Sequence, residues 1–345
     1  MSFTPHLSTA ARDLPESGVV AVMNFGRTKE NVVPLWVGEG DLPTPDFISQ
    51  AANKGLADGE TFYTWQRGIP ELRQALANYH QRLYKKPMQP DRFFVTGSGM
   101  QAIMLAVQAV AGPGDEVIVP APYWPNIHAA VSINRSTPVV VEMDFDPVAG
   151  WSLDLEKIER SITPNTKAMF LNTPSNPTGW VADRETLQAL LELARKNGLW
   201  ILADEVYARF VYDRDAAPSF YDVIEPDDRL IFVNTFSKNW AMTGWRVGWI
   251  SAPPELGQVF ENLVQYNTSG VAAFLQRGAV TALAEGEGFF QMQLDRARKG
   301  RDILSDALSQ SGCASFAKPD GTFYLFFHID GEDDATDLAY RLVDE

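Results

Sequence analysis

From Asp91 onward the chain alternates between two kinds of segment, and this alternation narrows the choice of fold more than its composition does. Short runs rich in β-branched and aromatic residues are followed by stretches whose apolar residues recur at helical spacing. This order is typical of a parallel sheet whose strands are connected by helices. The run Leu199–Ala203 is almost entirely apolar, as expected of a strand covered on both faces. We therefore predict an α/β fold built on a mainly parallel sheet.

The β-rich runs predict a sheet of seven strands, flanked by helices. The predicted strands are Phe93–Thr96, Glu116–Pro120, Thr137–Glu142, Lys167–Leu171, Leu199–Ala203, Leu230–Thr235 and Val247–Ser251. A helix is predicted over Gln101–Ala111, and Asp154 is expected to cap a second, short helix. A third is predicted over Asp183–Lys196, where four apolar residues have helical spacing and Gly198 follows as a C-terminal cap.

The C-terminal part of the chain has a different pattern. Gly288–Gln310 is a long helical stretch with a polar face, Thr322–His328 is predicted to be a strand, and Asp334–Glu345 a helix. We predict a large domain over residues 41–285 that contains the sheet. Residues 1–40 and 286–345 are predicted to form a smaller α+β lobe from both chain ends.

The charge balance argues against nucleic acid as a partner. The 345 residues include 29 Lys and Arg against 44 Asp and Glu, so the net charge is −15. Binding to nucleic acid needs a basic face that pairs with phosphates. We therefore expect that nucleic acid is not a main partner.

Cysteine, histidine and apolar content exclude several other classes of site. The single cysteine, Cys313, excludes an intrachain disulfide and a thiolate-rich metal site, and the four histidines are too far apart in sequence for metal-ligand spacing. No run approaches the roughly 18 apolar residues of a membrane span. Met1–Gly18 lacks the apolar centre of a signal peptide. The sequence thus predicts a cytoplasmic protein that holds no metal and does not span a membrane.

Clusters of small, polar and charged residues directly follow four of the predicted strands. In open α/β sheets, ligands bind at the carboxyl ends of the strands. The sequence therefore predicts one binding site at that edge of the sheet. The clusters are Gly97–Gly99, Asn172–Gly179, Asp204–Tyr207 and Thr235–Lys238.

The cluster that ends at Lys238 carries the most specific chemistry. An isolated lysine after a strand is usually a solvated surface residue, but Lys238 lies among hydroxyl and aromatic residues, with Arg246 eight positions later. A lysine close to a second cation and to apolar walls has a lowered pKa, which favours the free amine that forms a Schiff base. Arg246, Thr235 and Ser237 would suit a phosphate monoester as hydrogen-bond donors.

This segment resembles the cofactor-lysine motif of class I/II aminotransferases, which are pyridoxal-phosphate enzymes of fold type I related to aspartate aminotransferase. Further motifs of that family occur in consistent order along nearly the whole chain. They are Val37–Asp41, Tyr63–Gly68 with Pro70–Arg73, Thr96–Ala102, Pro122–Trp124, Asn172–Gly179, Ala203–Tyr207 and Thr235–Gly248. The resemblance implies a pyridoxal 5'-phosphate-dependent enzyme that moves an amino group between an L-amino acid and a 2-oxo acid by a ping-pong mechanism.

The resemblance assigns the chemical roles to three residues. Lys238 would form the Schiff base with the cofactor and, once released, carry the proton at the substrate α-carbon. Asp204 would pair with the pyridine nitrogen, although an aspartate here could instead cap a helix. Tyr207 would hydrogen-bond the phenolic oxygen of the ring together with Asn176, although a tyrosine could also simply pack in the core.

Other residues would hold the phosphate, the ring and the substrate. Ser98, Gly99 and Met100 open a helix whose N-terminus would bind the phosphate, with Thr235, Ser237 and Arg246. The resemblance implies that Tyr63 reaches the phosphate of a neighbouring subunit, and hence a homodimer. Trp124 would stack on the cofactor ring, and Gly38, Trp124 and Asn176 would contact the substrate, Gly38 because it has no side chain.

Substrate and reaction type are less constrained than the cofactor. The resemblance favours aspartate-type or broad and aromatic specificity. A carbon–sulfur β-lyase on the same fold and a non-catalytic, ligand-binding relative of the aminotransferases are the alternatives. Members of the family extend beyond the position of Glu345 and carry there an arginine that binds the substrate α-carboxylate. We therefore expect the sequence to be a C-terminally truncated part of a longer chain, and the alternative is that the α-carboxylate is bound differently.

Overall fold

The computed structural model describes residues 3–345 and contains one seven-stranded sheet between two layers of helices. Two hydrophobic clusters lie on opposite faces of this sheet. Ile201 and Ala203 point into one cluster, and Leu202, between them, points into the other. Because helices cover both faces of the sheet, these three residues are buried whichever face they point to. This explains the nearly continuous apolar sequence of the strand.

The seven strands of the large sheet are those that the sequence predicted. Three have the predicted bounds, two differ by one residue at one end, and two differ by one residue at both ends. The strands of the chain are β1 (Phe93–Thr96), β2 (Glu116–Ala121), β3 (Thr137–Glu142), β4 (Asp144–Asp146), β5 (Gly150–Ser152), β6 (Thr166–Asn172), β7 (Trp200–Asp204), β8 (Leu230–Thr235), β9 (Gly248–Ser251), β10 (Ala314–Phe316) and β11 (Phe327–Ile329). The short strands β4 and β5 pair with each other, as do β10 and β11, and neither pair was fully predicted.

The order of strands in the large sheet is β1-β9-β8-β7-β6-β2-β3. The pairs β2–β3, β2–β6, β6–β7 and β7–β8 are parallel. Strand β9 lies antiparallel to both of its neighbours, β1 and β8. The prediction of a mainly parallel sheet is therefore confirmed, with β9 as the exception.

Helices cover both faces of the sheet and begin and end close to the predicted residues. Asp154 and Asp183 cap helices with their side chains, as predicted, and Gly198 ends a helix in the left-handed conformation. No helix within residues 3–345 is both long and apolar enough to cross a membrane. The helices are α1 (Thr9–Arg12), α2 (Gly18–Gly26), α3 (Asp46–Ala57), α4 (Pro70–Tyr84), α5 (Gly99–Val110), α6 (Pro125–Ile133), α7 (Leu155–Arg160), α8 (Arg184–Asn197), α9 (Gly257–Gln265), α10 (Ala273–Glu285), α11 (Glu287–Ser311) and α12 (Ala335–Asp344).

The prediction of a strand over Thr322–His328 was wrong for most of its length. Only the end of this segment is extended and paired, in β11. At Thr322 the backbone has a φ of 64°, outside the β region, and its amide donates a hydrogen bond to the Phe210 carbonyl at 2.7 Å. A contact distant in sequence therefore overrides the local β propensity of this segment.

Residues from the two chain ends lie against each other, as the predicted small lobe requires. Helix α12 packs on α2, and the rings of Phe25 and Tyr340 meet edge to face with centroids 5.1 Å apart. The Lys29 ammonium also lies 2.5 Å from a carboxylate oxygen of Asp344. The domain boundaries near residues 41 and 285 stay a prediction.

Candidate active site

The four loops predicted to form a site meet at the carboxyl edge of the sheet. Asp204, at the end of β7, accepts hydrogen bonds at its carbonyl from the Thr173 amide at 3.2 Å and the Asn172 side chain at 3.1 Å. Gly99 lies against Thr235, so that a Cβ on Gly99 would be 3.2 Å from the Thr235 Cβ. The Asn234 side chain, in β8, donates a hydrogen bond to the Glu205 carbonyl at 3.0 Å. Together these contacts join the loops after β1, β6, β7 and β8 into one site.

Lys238 lies at the centre of this site, three residues after the end of β8. Its amine donates a hydrogen bond of 2.6 Å to the carbonyl of Gly38. Burial lowers the pKa of Lys238 to about 8, and the positive charge of Arg246 adds to this effect. The carboxylates of Glu39 and Asp204 oppose it. The predicted lowering of the lysine pKa is thus confirmed, with burial rather than the second cation as its main cause.

Asp204 is a buried carboxylate with few hydrogen-bond donors around it. Its relative exposure is 3%, and within residues 3–345 its side chain accepts one hydrogen bond, from the Val206 amide at 3.3 Å. Burial raises the pKa of Asp204 to about 7, against the opposing effects of the Val206 amide and the Lys238 charge. Such a carboxylate favours a cationic hydrogen-bond donor that enters the site from outside the chain.

Tyr207 lies between Lys238 and the C-terminal part of the chain. The Lys238 nitrogen is 5.8 Å from the centre of the Tyr207 ring, and the Tyr207 hydroxyl is 2.7 Å from that of Tyr324. Burial raises the pKa of Tyr207 well above its ordinary value, and hydrogen bonding by the Asn176 side chain opposes the rise. The structure therefore brings Lys238, Tyr207 and Asn176 together, as predicted.

The N-terminus of α5 faces hydroxyl groups of the loop after β8. The Ser98 side chain caps this helix by accepting a hydrogen bond from the Gln101 amide at 2.9 Å, and the Thr235 hydroxyl donates to Ser237 at 2.9 Å. Strand β9 lies so close to the N-terminus of α5 that a Cβ on Gly248 would be 2.6 Å from the Ser98 carbonyl carbon. A glycine is required at position 248 because any side chain would push the helix N-terminus away.

Within residues 3–345, the predicted residues Arg246, Trp124 and Met100 make no hydrogen bond to Lys238. Arg246 is exposed, and its guanidinium donates a hydrogen bond to the Thr243 carbonyl. Trp124 immediately precedes α6 and packs half-buried on the core, and the Met100 sulfur accepts a hydrogen bond from Asn126 at 3.6 Å.

Tyr63 lies apart from the other predicted residues. It is 94% exposed, beside a surface cavity of about 360 Å³ that Arg277 and Glu71 also line. Lys238 does not line this cavity. Within residues 3–345 of one chain, Tyr63 thus does not join the site around Lys238.

Two residues with contacts in or beside the site were missed by sequence analysis. Glu205 is buried next to Asp204 and accepts hydrogen bonds from the Ser219 hydroxyl at 2.7 Å and from that of Tyr84 at 3.4 Å. Tyr324 contacts Tyr207, but it lies in the segment that was wrongly predicted to be a strand. Its approach depends on how the chain returns to the sheet, and no spacing in the sequence signals such a return.

These residues fit pyridoxal 5'-phosphate, which has a basic ring nitrogen, an aldehyde and a phosphate. The Asp204 carboxylate, which accepts a hydrogen bond from the Val206 amide alone within the described residues, suits a protonated ring nitrogen. The lowered pKa of Lys238 suits attack on an aldehyde, and the N-terminus of α5 suits an anion. The chemistry of the donor set is therefore consistent with this cofactor.

Comparisons with known proteins agree with the site. Residues 30–345 match the profile of the family "Aminotransferase class I and II". The aspartate aminotransferase of Thermotoga maritima is 37% identical over 320 residues, which are 92% of this chain and 81% of that protein. The aspartate/prephenate aminotransferase of Thermus thermophilus is 34% identical over 326 residues, which are 92% of this chain and 83% of that protein.

A solved structure shows that the likeness extends to the fold. The crystal structure of the Thermotoga maritima aspartate aminotransferase superimposes with a TM-score of 0.91 at 34% sequence identity. The match covers 98% of this chain and 89% of that one. The profile, the relatives and the superposition all span most of the chain, so it belongs to the class I and II aminotransferases and is itself an aminotransferase that depends on pyridoxal 5'-phosphate.

Proposed function

We propose that Lys238 is the residue that binds the cofactor covalently and carries the proton as the amino group moves between an L-amino acid and a 2-oxo acid. The observation that carries this proposal is the half-buried Lys238 amine, whose pKa is lowered to about 8 beside the carboxylate of Asp204. When bound, pyridoxal phosphate supplies an aldehyde carbon and a ring that accepts electrons. At pH 7 a lysine with a pKa of about 8 is uncharged in about a tenth of the molecules, and this free amine can attack a carbonyl or accept a proton.

In this proposal Asp204 and Tyr207 set the electrostatics around the ring. Asp204, buried and short of donors, would hold the ring nitrogen in its protonated form. Tyr207 and Asn176 would donate hydrogen bonds to the phenolic oxygen. Trp124 would support the ring from the side on which α6 begins.

The phosphate and the substrate would be held by backbone and hydroxyl groups. Ser98, Gly99 and Met100 at the N-terminus of α5 would bind the phosphate with Thr235, Ser237 and Arg246. The carbonyl of Gly38 already accepts a hydrogen bond from Lys238, which supports a place for Gly38 beside the substrate, together with Trp124 and Asn176.

We propose a substrate range that includes aspartate and aromatic amino acids. The relatives are named for aspartate and for aspartate with prephenate. Two half-buried aromatic residues of the site motifs, Tyr123 and Trp124, also suit an aromatic side chain. Trp240 is buried in the core, and Trp65 lines the cavity beside Tyr63. An acidic side chain would need a cation in addition to the one that binds its α-carboxylate.

A screen of half-reactions tests this function. Single amino acids are added to the cofactor-loaded protein without a 2-oxo acid, and the visible absorbance of the cofactor is followed. We expect aspartate or an aromatic amino acid to convert the cofactor to its amine form and to yield the matching 2-oxo acid. If cystathionine instead gives pyruvate and ammonia, the protein is a β-lyase. If no amino acid changes the spectrum, the proposal is wrong.

We also propose that the protein is a homodimer in which Tyr63 completes the site of the neighbouring subunit. Tyr63 is 94% exposed, Phe62 84% and Trp65 64%, so three large side chains close together in sequence face outward. A contiguous exposed apolar patch of this kind usually marks an interface between proteins. Within one chain, Tyr63 has no place at the Lys238 site, whereas a partner could bring it there.

Mixing two variant subunits tests the position of Tyr63. In a dimer of one Lys238→Ala and one Tyr63→Phe subunit, one site would combine an intact Lys238 with an intact Tyr63 from the other chain. We expect the mixture, after reassociation, to bind the cofactor at one of its two sites with the affinity of the wild-type protein. A mixture no better than the Tyr63→Phe protein alone would contradict the proposal.

We further propose a cytoplasmic location. Cys313 is a free and exposed thiol, which is usual in a reducing compartment. Cell fractionation followed by assay of transaminase activity tests this location, and activity in the membrane or secreted fraction would contradict it.

A further inference from the structure

Tyr324 contacts two residues of the proposed site, although no motif singled it out. Its hydroxyl is 2.7 Å from that of Tyr207, and the two rings meet edge to face with centroids 5.6 Å apart. Tyr324 also lies against Gly38, where any side chain would collide with its hydroxyl. The tyrosine therefore fills the space between Tyr207 and the segment to which Lys238 is hydrogen-bonded.

The backbone around Tyr324 is fixed by contacts with the large sheet's loops. The Gly321 amide donates to the Gly179 carbonyl at 2.9 Å, and the Thr322 amide donates to Phe210 at 2.7 Å. The Tyr324 amide donates to the Thr322 hydroxyl at 3.1 Å. Because these bonds anchor the segment to the loops after β6 and β7, the position of the Tyr324 hydroxyl is set by the fold.

The two hydroxyl groups can share only one proton in their common hydrogen bond. If Tyr324 donates to Tyr207, the Tyr207 proton is available for a hydrogen bond to another oxygen. If Tyr207 donates to Tyr324, its proton is not available to any other acceptor. Within residues 3–345 the Tyr324 hydroxyl has no other hydrogen-bond partner. Burial raises the pKa of both hydroxyls, that of Tyr324 to about 12, so both keep their protons near neutral pH. Because the Tyr207 oxygen is the only acceptor that this part of the chain offers to the Tyr324 hydroxyl, the Tyr324 proton has Tyr207 as its one acceptor.

We propose that Tyr324 is a positioning residue that donates its hydrogen bond to Tyr207 and thereby directs the Tyr207 proton toward the phenolic oxygen of the cofactor. This inference rests on the proposed role of Tyr207. A hydroxyl that accepts one hydrogen bond becomes a stronger donor of its own, because consecutive hydrogen bonds polarise one another. Tyr324 would therefore stabilise negative charge on the cofactor oxygen without touching it.

Charged groups around the pair must be considered in any pH measurement. Asp204 faces both tyrosines. Lys238 lies over the Tyr207 ring, with Glu39 and Arg246 acting on its amine. A Tyr→Phe substitution leaves these four charges in the protein and removes only one hydroxyl.

Titration of the visible absorbance of the cofactor-loaded protein against pH tests the inference. A donor to the phenolic oxygen favours the deprotonated form of the bound cofactor, so loss of the donor moves the midpoint to higher pH. We expect Tyr324→Phe to raise the midpoint by about half to one pH unit, the size expected for one neutral hydrogen bond. Tyr207→Phe is expected to raise it further.

A double variant and a control separate positioning from loosened packing. In the Tyr207→Phe background, Tyr324→Phe should cause no further shift, because its effect passes through the Tyr207 hydroxyl. Tyr212 donates a hydrogen bond to the Thr322 carbonyl in the same segment, so Tyr212→Phe loosens that segment but should leave the midpoint unchanged.

The possible results distinguish this inference from the proposed function. A midpoint that stays or falls in Tyr324→Phe, or an additive shift in the double variant, overturns the inference while the wild-type enzyme still transaminates. An equal shift in Tyr212→Phe overturns it too, since loosened packing would then suffice. A wild-type protein that binds no cofactor overturns both proposals.

Discussion

Replacing Lys238 by alanine is expected to reduce transamination by at least about 10⁴-fold, since both covalent binding of the cofactor and proton transfer depend on the same amine. The substitution also removes the 2.6 Å hydrogen bond to the Gly38 carbonyl. Reduction of the loaded wild-type protein with borohydride should attach the cofactor permanently to the peptide that contains Lys238. Mass spectrometry of the digested protein identifies that peptide.

An exposed lysine provides the matched control. Lys54, in α3, is 74% exposed at its side chain and pairs with Asp58 four residues later. Lys54→Ala should leave both the adduct and the rate unchanged, because exposed pairs contribute little to stability. An adduct on a lysine other than Lys238, or full activity of Lys238→Ala, would contradict the assignment.

Asp204→Asn is expected to stabilise the cofactor-free protein while it impairs the loaded enzyme. Burial raises the pKa of Asp204 from its ordinary 3.8 to about 7, so the folded chain keeps this proton after the unfolded chain has lost it. The free energy of unfolding of the wild-type protein therefore falls between about pH 4 and pH 7. Asparagine stays neutral throughout, and its advantage should grow by about 2 kcal/mol between pH 5 and pH 7.

In the loaded enzyme, the same substitution removes the anion proposed to hold the ring nitrogen protonated. We expect the transamination rate to fall by about 10²–10³-fold, the usual loss when one electrostatic partner of a transition state is removed. The opposite signs of the two effects make the prediction specific, because a merely damaged protein would lose stability as well as activity.

Urea unfolding of the cofactor-free protein at pH 5 and pH 7 measures the effect on stability. Asp306 is an exposed aspartate of α11, and Asp306→Asn should leave the pH dependence of unfolding unchanged. A stability difference between Asp204→Asn and wild type that does not depend on pH would show that the folded protein does not hold the Asp204 proton as its burial implies.

Strand positions and helix caps were predictable because their signals are local. Leu230–Thr235 follows a polar segment and begins with four apolar residues, and the structure gives it the predicted bounds. Asp183 and Gly198 mark the two ends of α8 through chemistry that operates within one helical turn. The convergence of the loops after β1, β6, β7 and β8 also followed from the sequence, because it depends only on strand direction.

Features that depend on distant contacts could not be predicted. The conformation of Thr322 is set by its hydrogen bond to Phe210, more than a hundred residues earlier in the chain. Tyr324 consequently approaches Tyr207 from a segment whose residues suggest a strand. The dominant role of burial at Lys238 likewise required the fold, since the sequence shows the nearby cation but not the depth of the amine.

The reversed direction of β9 explains how one short connection supplies two cations to the same place. A strand parallel to β8 would have to begin at the opposite edge of the sheet, and the intervening chain would leave the region of Asp204. Because β9 runs backward beside β8, the connection departs from and returns to one edge. Lys238 near its start and Arg246 near its end therefore stay neighbours, and the positive charge of Arg246 reaches the lysine amine.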